Sequence, residues 1–369
     1  MAGTIHDAAR ALAVILAIAS PPALAAPPSV QSGLGGTILG YDVDANGTLG
    51  ILSEYVSHGD GTNDVAVETF DLATGAIVKF VREKDSTRDD FVALGVVGGA
   101  GLVETEHVGD LFVEKRTYNI VDPLTKGKFI GRWTPPLHSK KDIISYVIPS
   151  LVSSDTAIMG FVNGGSSPTY LYTTDVTANT FGPVIKIRDD LLAFNNSPVM
   201  GFDGAHGQAI IGTSKGCPDC GSELFSVDLP AGTVKHLATL GLGFVNGIAV
   251  DEADGIVCTT TEIDFSVEFY NIATHHFVHK TIQGATSQAN SGTAVGYDPV
   301  AKLFFLGQPF SSTGPNSSIQ IYDKDGNFVK SVNNLHLPTS PARIAVVPAT
   351  RTGFVQSSAD GSQLQVFTY

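Results

Sequence analysis

The sequence predicts an all-β protein: a seven-bladed β-propeller whose last blade is closed by an N-terminal strand. Three observations point there. One stretch, Gly243–Ile282, reads as four short strands. Its markers recur from Ile38 to the end of the chain. The last unit is one strand short, and one segment near the N-terminus is placed to supply it.

Within that stretch the predicted strands are Gly247–Val250, Ile256–Thr261, Ser266–Asn271 and His276–Thr281. β-Branched and aromatic residues fill the runs, and Asp/Gly/Asn clusters interrupt them. Asp251 to Gly255 makes the first turn and Ile272 to His275 the last. Four antiparallel strands of about ten residues each, turns included, make one propeller blade.

Taken in order, residues 1–26 read as a secretory signal peptide. The apolar run Ala11–Ala19 is too short to span a bilayer, and Ala23-Leu-Ala25 supplies a small-x-small cleavage site. Residues 27–369 then read as a single propeller domain, exported to the extracellular space or periplasm. The inner strand of each blade ends in a turn Asp in Ile38-Leu-Gly-Tyr-Asp42, Val199-Met-Gly-Phe-Asp203, Ile248-Ala-Val-Asp251 and Ala294-Val-Gly-Tyr-Asp298. Weaker copies are Val92–Val97, Pro149–Ser154 and Arg343–Val347. The third strand has its own marker, seen in Glu68-Thr-Phe-Asp71, Tyr172-Thr-Thr-Asp175, Phe225-Ser-Val-Asp228, Phe269-Tyr-Asn271 and Ile321-Tyr-Asp323. Copies lie about 44 to 55 residues apart, the range of propeller blades. His138–Ile148 fits no strand pattern and reads as a short helix or a loop. The last unit ends at Leu364–Tyr369 after its third strand, so Ser29–Leu34 is expected to pair with it and remove an exposed edge.

Composition narrows function by exclusion. A net charge of −14 argues against nucleic acid, whose phosphates need clustered Lys and Arg, and against anionic lipid. No later apolar run approaches the length of a membrane helix. Of the three cysteines, Cys217-Pro-Asp-Cys220 could be half of a zinc knuckle, a redox motif or a loop disulfide. Export and the lack of a second Cys pair favour the disulfide. Cys258 sits in an apolar strand and is expected to be a buried small hydrophobe.

At Asn246-Gly-Ile-Ala-Val-Asp251 with Asp254-Gly255, the chain resembles the NHL-repeat, YVTN and gluconolactonase/regucalcin-type propellers. Their blades share an x-G-[IL]-A-[VF]-D…G cadence. As architecture, the resemblance covers the chain from residue 27 onward. In the gluconolactonase-like enzymes it implies a divalent metal at the channel mouth, held by a Glu of an E-G-P motif, an Asn of a P-N-G motif and a late Asp. Here Asn246-Gly247 matches, with Val245 in place of the Pro. The first blade reads Gly35-Gly-Thr-Ile, and the sixth reads Ser291-Gly-Thr-Ala where the Asp would stand.

Loops leading into an inner strand and loops joining second to third strands lie on one face of a propeller. That face carries Asn246, Glu262 and Asp264, with Asn195, Asn196 and Asn290 near the corresponding places of neighbouring blades. Such oxygen ligands suit Ca²⁺ better than zinc. With a metal there, Glu262 or Asp264 is the candidate catalytic base. Asn is also a common turn residue, and Pro198 and Thr293, not Asn, align with Asn246. Asp42-Val-Asp-Ala-Asn46-Gly47 mimics an EF-hand opening, but Ser53 stands at position twelve, so a plain turn is expected. Ser57–Asp64 reads as a polar loop that could hold Ca²⁺, Glu104/Glu106/His107 as a solvated face with a general acid–base pair as the alternative, and His275, His276 and His279 as an outer edge that could bind a transition metal adventitiously. No nucleophile elbow, phosphate loop or haem-attachment motif is present.

The leading function is a secreted, monomeric binding or recognition scaffold for a small molecule, glycan or protein. One alternative is a Ca²⁺-dependent, lactonase-like hydrolase or lyase of a small molecule at the channel mouth. The other is a structural extracellular protein.

Overall fold

The structure is a computed structural model. It describes residues 29–369 except for 45–46, 61, 87–88, 98, 109–112, 122–128, 134–141, 151–155, 164–168, 177, 187–198, 215–220, 286–291, 293, 309–316, 338–342 and 358–360. Among the described residues there are strands and turns and no helix.

The chain starts with β1 (Ser29–Gln31). The first sheet then follows: β2 (Thr37–Val43), β3 (Leu49–Ser57), β4 (Asn63–Asp71) and β5 (Ile77–Ser86). The second is β6 (Asp89–Val97), β7 (Ala100–Val108), β8 (Val113–Val121) and β9 (Phe129–Trp133). The third is β10 (Asp142–Pro149), β11 (Thr156–Asn163) and β12 (Thr169–Asp175), with β13 (Thr180–Phe181) and β14 (Ile185–Lys186) both on β12. The fourth is β15 (Val199–Asp203), β16 (Gln208–Ser214), β17 (Gly221–Asp228) and β18 (Val234–Leu242). The fifth is β19 (Val245–Asp251), β20 (Ile256–Thr261), β21 (Ser266–Asn271) and β22 (Phe277–Thr281). The sixth is β23 (Ala294–Asp298), β24 (Leu303–Gln308), β25 (Ser317–Asp323) and β26 (Phe328–Leu335). The last holds β27 (Ala345–Val347), β28 (Thr352–Gln356) and β29 (Gln363–Thr368). Its fourth strand is β1, with Ser29 opposite Gln365, Val30 opposite Leu364 and Gln31 opposite Gln363.

Burial explains the strand composition. All six residues of β20 are buried, because middle strands are covered on both faces by neighbouring sheets. The outer strand β22 alternates between exposed and half-buried residues. Each apolar cluster spans two neighbouring sheets. Met200 and Phe202 pack with Ile158 and Leu171, Ile210 and Leu224 with Ile248 and Val257, and Cys258 and Phe269 with Phe304 and Tyr322. Val30, Leu52 and Phe70 pack with Ala345, Phe354 and Leu364, joining the first sheet to the last. The fold is therefore an all-β propeller. Cys258 is a buried free thiol in such a cluster, as expected.

One expectation is corrected. The innermost strand of the third sheet is Asp142–Pro149, not Pro149–Ser154, and it occupies most of the segment read as helix or loop. A register shift between Ile144 and Tyr146 breaks the alternation that sequence reading relies on. Pro149 closes the strand, a place where its missing N–H is tolerated. Cys217, Cys220, Asn195, Asn196, Asn290 and residues 1–26 lie outside the described residues, as do the side chains of Glu104, Glu106 and His107.

Candidate functional site: the upper face

We call upper the end from which the inner strands start. The lower end is built by the turn aspartates, and their roles are structural. Asp251 Oδ1 accepts the amides of Ala253 (3.1 Å) and Asp254 (3.3 Å), and Asp298 Oδ1 those of Val300 (2.7 Å) and Ala301 (2.9 Å). Asp298 also accepts the Tyr369 hydroxyl at 2.7 Å. Asp42, first residue of the EF-hand-like run, accepts the Val96 amide at 2.8 Å and the Arg343 guanidinium at 3.1 Å. It therefore ties the first sheet to both neighbours. Burial raises its pKa, and Arg343 opposes the shift. Asp203, raised by burial and opposed by His206, holds the His206 Nδ1 at 2.9 Å.

At the upper face the structure separates the residues that sequence reading grouped. Asn246 Nδ2 donates to the Gly292 carbonyl at 3.0 Å, towards the sixth sheet. Asp264 points the other way. Its Oδ2 accepts the Leu242 amide of β18 at 2.8 Å, and its Oδ1 accepts Thr261 Oγ1 at 2.7 Å and Ser266 Oγ at 3.1 Å. Glu262 is half-buried, and its amide donates to the Phe244 carbonyl at 3.0 Å. In the polar loop, Asp64 pairs with Arg82 and with His58 at 3.2 Å. The outer-edge histidines are spent separately. His275 sits at a left-handed turn position (φ 58°) with Nδ1 at 2.7 Å from Tyr270 OH, whereas His279 turns towards Glu268.

Sequence reading missed Glu268 itself. This buried residue of β21 accepts the Gly241 amide at 2.5 Å, Thr259 Oγ1 at 3.0 Å and Ser266 Oγ at 3.1 Å, and His279 Nδ1 lies 3.2 Å away. Burial raises its pKa, those donors pull it back, and Asp264 adds a further rise. Ligand atoms of Asp264, Glu268 and His279 all lie within 4.8 Å of one another, a spacing that could hold a cation.

The first sheet repeats the arrangement. Glu68 Oε2 accepts the Gly33 amide at 2.7 Å, and Glu54 accepts Leu34 (2.7 Å) and Gly36 (2.9 Å). Gly33-Leu-Gly35 and Gly241-Leu-Gly243 are thus the same device, a linker from the preceding sheet whose amides enter a pair of acids. Its first glycine allows close approach: a Cβ on Gly33 would fall 2.3 Å from Glu68 Oε1, and one on Gly241 2.2 Å from Asp264 Oδ2. The second glycine turns left-handed, with φ +72° at Gly35 and +93° at Gly243.

The sixth and last sheets use amides at the same strand position. Gln320 donates to the Gln283 carbonyl at 2.6 Å, and Gln365 both accepts the His336 amide and donates to its carbonyl, each at 2.9 Å. An acid stands where the linker offers N–H groups, and an amide where it offers a carbonyl or both. A signal existed in the sequence. Glu68, Glu268 and Gln320 each precede by three the turn residue Asp71, Asn271 or Asp323, inside runs that are mostly apolar or aromatic.

In comparison with known proteins, the chain matches no family model and no curated protein sequence.

Proposed function

We propose that the chain is an exported β-propeller serving as a recognition scaffold. What supports this reading is the use of its upper-face polar groups. Asn246, Asp264 and Glu268 are engaged by hydrogen bonds to other sheets, which leaves ligand selection to the loops above them. We further propose seven blades in one domain with β1 completing the last, a count supported by the seven sheets among the described residues. An NHL- or regucalcin-like type, a leader peptide at 1–26, a Cys217–Cys220 disulfide and a monomeric state complete the proposal.

The second reading is a Ca²⁺-dependent, lactonase-like hydrolase or lyase. The observation that favours it is the Asp264, Glu268 and His279 cluster, with Asp264 or Glu262 as base. The donors already filling Asp264 and Glu268 compete with a cation for the same lone pairs. The two readings separate in one experiment on the purified protein: a panel of glycans and small lactones with and without chelator. Saturable binding without turnover, unchanged by chelation, is expected. Ca²⁺-dependent turnover abolished by Asp264→Asn overturns the scaffold reading.

A further inference from the structure

Glu68 Oε1 is fully buried and, among the described residues, receives no hydrogen bond. Beside it lies Glu54, also buried, whose oxygens already accept Leu34 and Gly36. Glu54 and Glu68 lie diagonally on one face of the β3–β4 pair, with Glu54 opposite Ala66 and Leu52 opposite Glu68, and of their four oxygens Glu68 Oε1 lacks a donor; one proton on the pair supplies it. The linker they grip follows β1 directly, and β1 is the strand that completes the last sheet. The same linker is fixed from its other side, where the Ser32 amide donates to the Ser362 carbonyl at 2.9 Å.

We propose that Glu54 and Glu68 form a proton-held latch on the closing strand: one proton shared between the two carboxyl groups holds residues 32–36 in place, and its loss loosens β1 from the ring. The proton sits on Glu68 and is donated to Glu54, while Glu68 Oε2 continues to accept the Gly33 amide. Burial pushes the Glu68 carboxyl up to about 8; the Gly33 amide opposes this, Glu54 adds to it, and Arg82 on β5 opposes it weakly. Arg82 is itself paired with Asp64 on β4, which also meets His58. From the last sheet the described contacts are the neutral Ser362 and Gln31.

The sign follows from linkage. Once the latch opens, Glu68 meets water and regains its ordinary carboxyl affinity, so the closed form binds the proton more tightly. Latch stability is full below the ordinary value of 4.5 and is lost as pH rises through about 8.

Amide hydrogen exchange at Ser32, Gly33, Leu34 and Gly36 of the full chain tests this. Protection, corrected for the base catalysis of free amides, is expected to fall by about tenfold per pH unit from pH ~5 to ~8 and then level off. Glu68→Gln, which mimics the protonated acid with a permanent donor, is expected to stay flat. A flat wild-type profile, or an equal slope in Glu68→Gln, overturns the latch. Should that variant fail to fold, infrared spectroscopy of the wild type decides. A protonated carboxyl band present near pH 6 and lost by about pH 9 supports the latch, and its absence at both overturns it.

Discussion

The first and fifth sheets grip the chain in the same way and satisfy their acids differently. In both, a Gly-Leu-Gly linker sends consecutive amides into two carboxylates, one of them the third-strand Glu68 or Glu268. Around Glu268 the chain supplies the hydroxyls of Thr259 and Ser266 and faces the ring of His279, so every oxygen has a partner. Around Glu68 it supplies a second glutamate, and one oxygen is left over. One backbone clasp can therefore be a fixed joint or a titratable one. The choice rests on two or three side chains packed against the acid.

Removing the acid from the fixed joint is the most damaging way to break this parallel. Glu268→Ala strands the Gly241 amide and the buried Thr259 hydroxyl and takes one partner from Ser266, and a loss of about 3 to 5 kcal/mol is expected in urea unfolding. Glu68→Gln, which keeps an acceptor for Gly33, should cost far less. A cost for Glu268→Ala no larger than that of Glu68→Gln would erase the distinction.

The linkers themselves give the next test. A Cβ on Gly243 would come 2.8 Å from the Ile263 backbone nitrogen, whereas one on Gly35 meets nothing within 4 Å. Both turn left-handed, so both pay strain, but only Gly243 also meets a wall. Gly243→Ala is expected to cost about 2 to 3 kcal/mol and Gly35→Ala about 1 kcal/mol, read as shifts in the denaturation midpoint. The smallest effect is at His279. Its ring is partly exposed, and His279→Ala should change stability by less than about 1 kcal/mol, with Glu268 kept in place by its remaining donors. A larger loss would show that the imidazole, and not the hydroxyls, secures the fixed joint.

Much of the fold could be read from the sequence because turn chemistry is local. Asp251, Asp298 and Asp71 cap the turns they begin, and the pattern Ile-Ala-Val-Asp carries that information without its neighbours. The third sheet escaped because the register shift in Asp142–Pro149 hides its strand period. The upper face was legible only as a list of residues. Asn246 and Asp264 start from the same face of one sheet, yet their partners belong to opposite neighbours, and no local pattern encodes which neighbour a side chain meets. Glu268 was overlooked for a related reason. A buried strand is expected to be apolar, and only the arriving linker makes a carboxylate affordable there.

The pairing of Ser29–Gln31 with Gln363–Gln365 has a consequence for how the molecule is made. A strand made ahead of the rest of the ring has its hydrogen-bonding partner more than three hundred residues downstream. Bringing such distant ends together costs about 5 kcal/mol of chain entropy if nothing between them is yet ordered. The cost falls steeply once the intervening sheets have stacked and carried the two ends towards each other. Assembly is thus expected to run around the circle, with the earliest-made strand waiting, edge exposed, until the last one arrives to meet it.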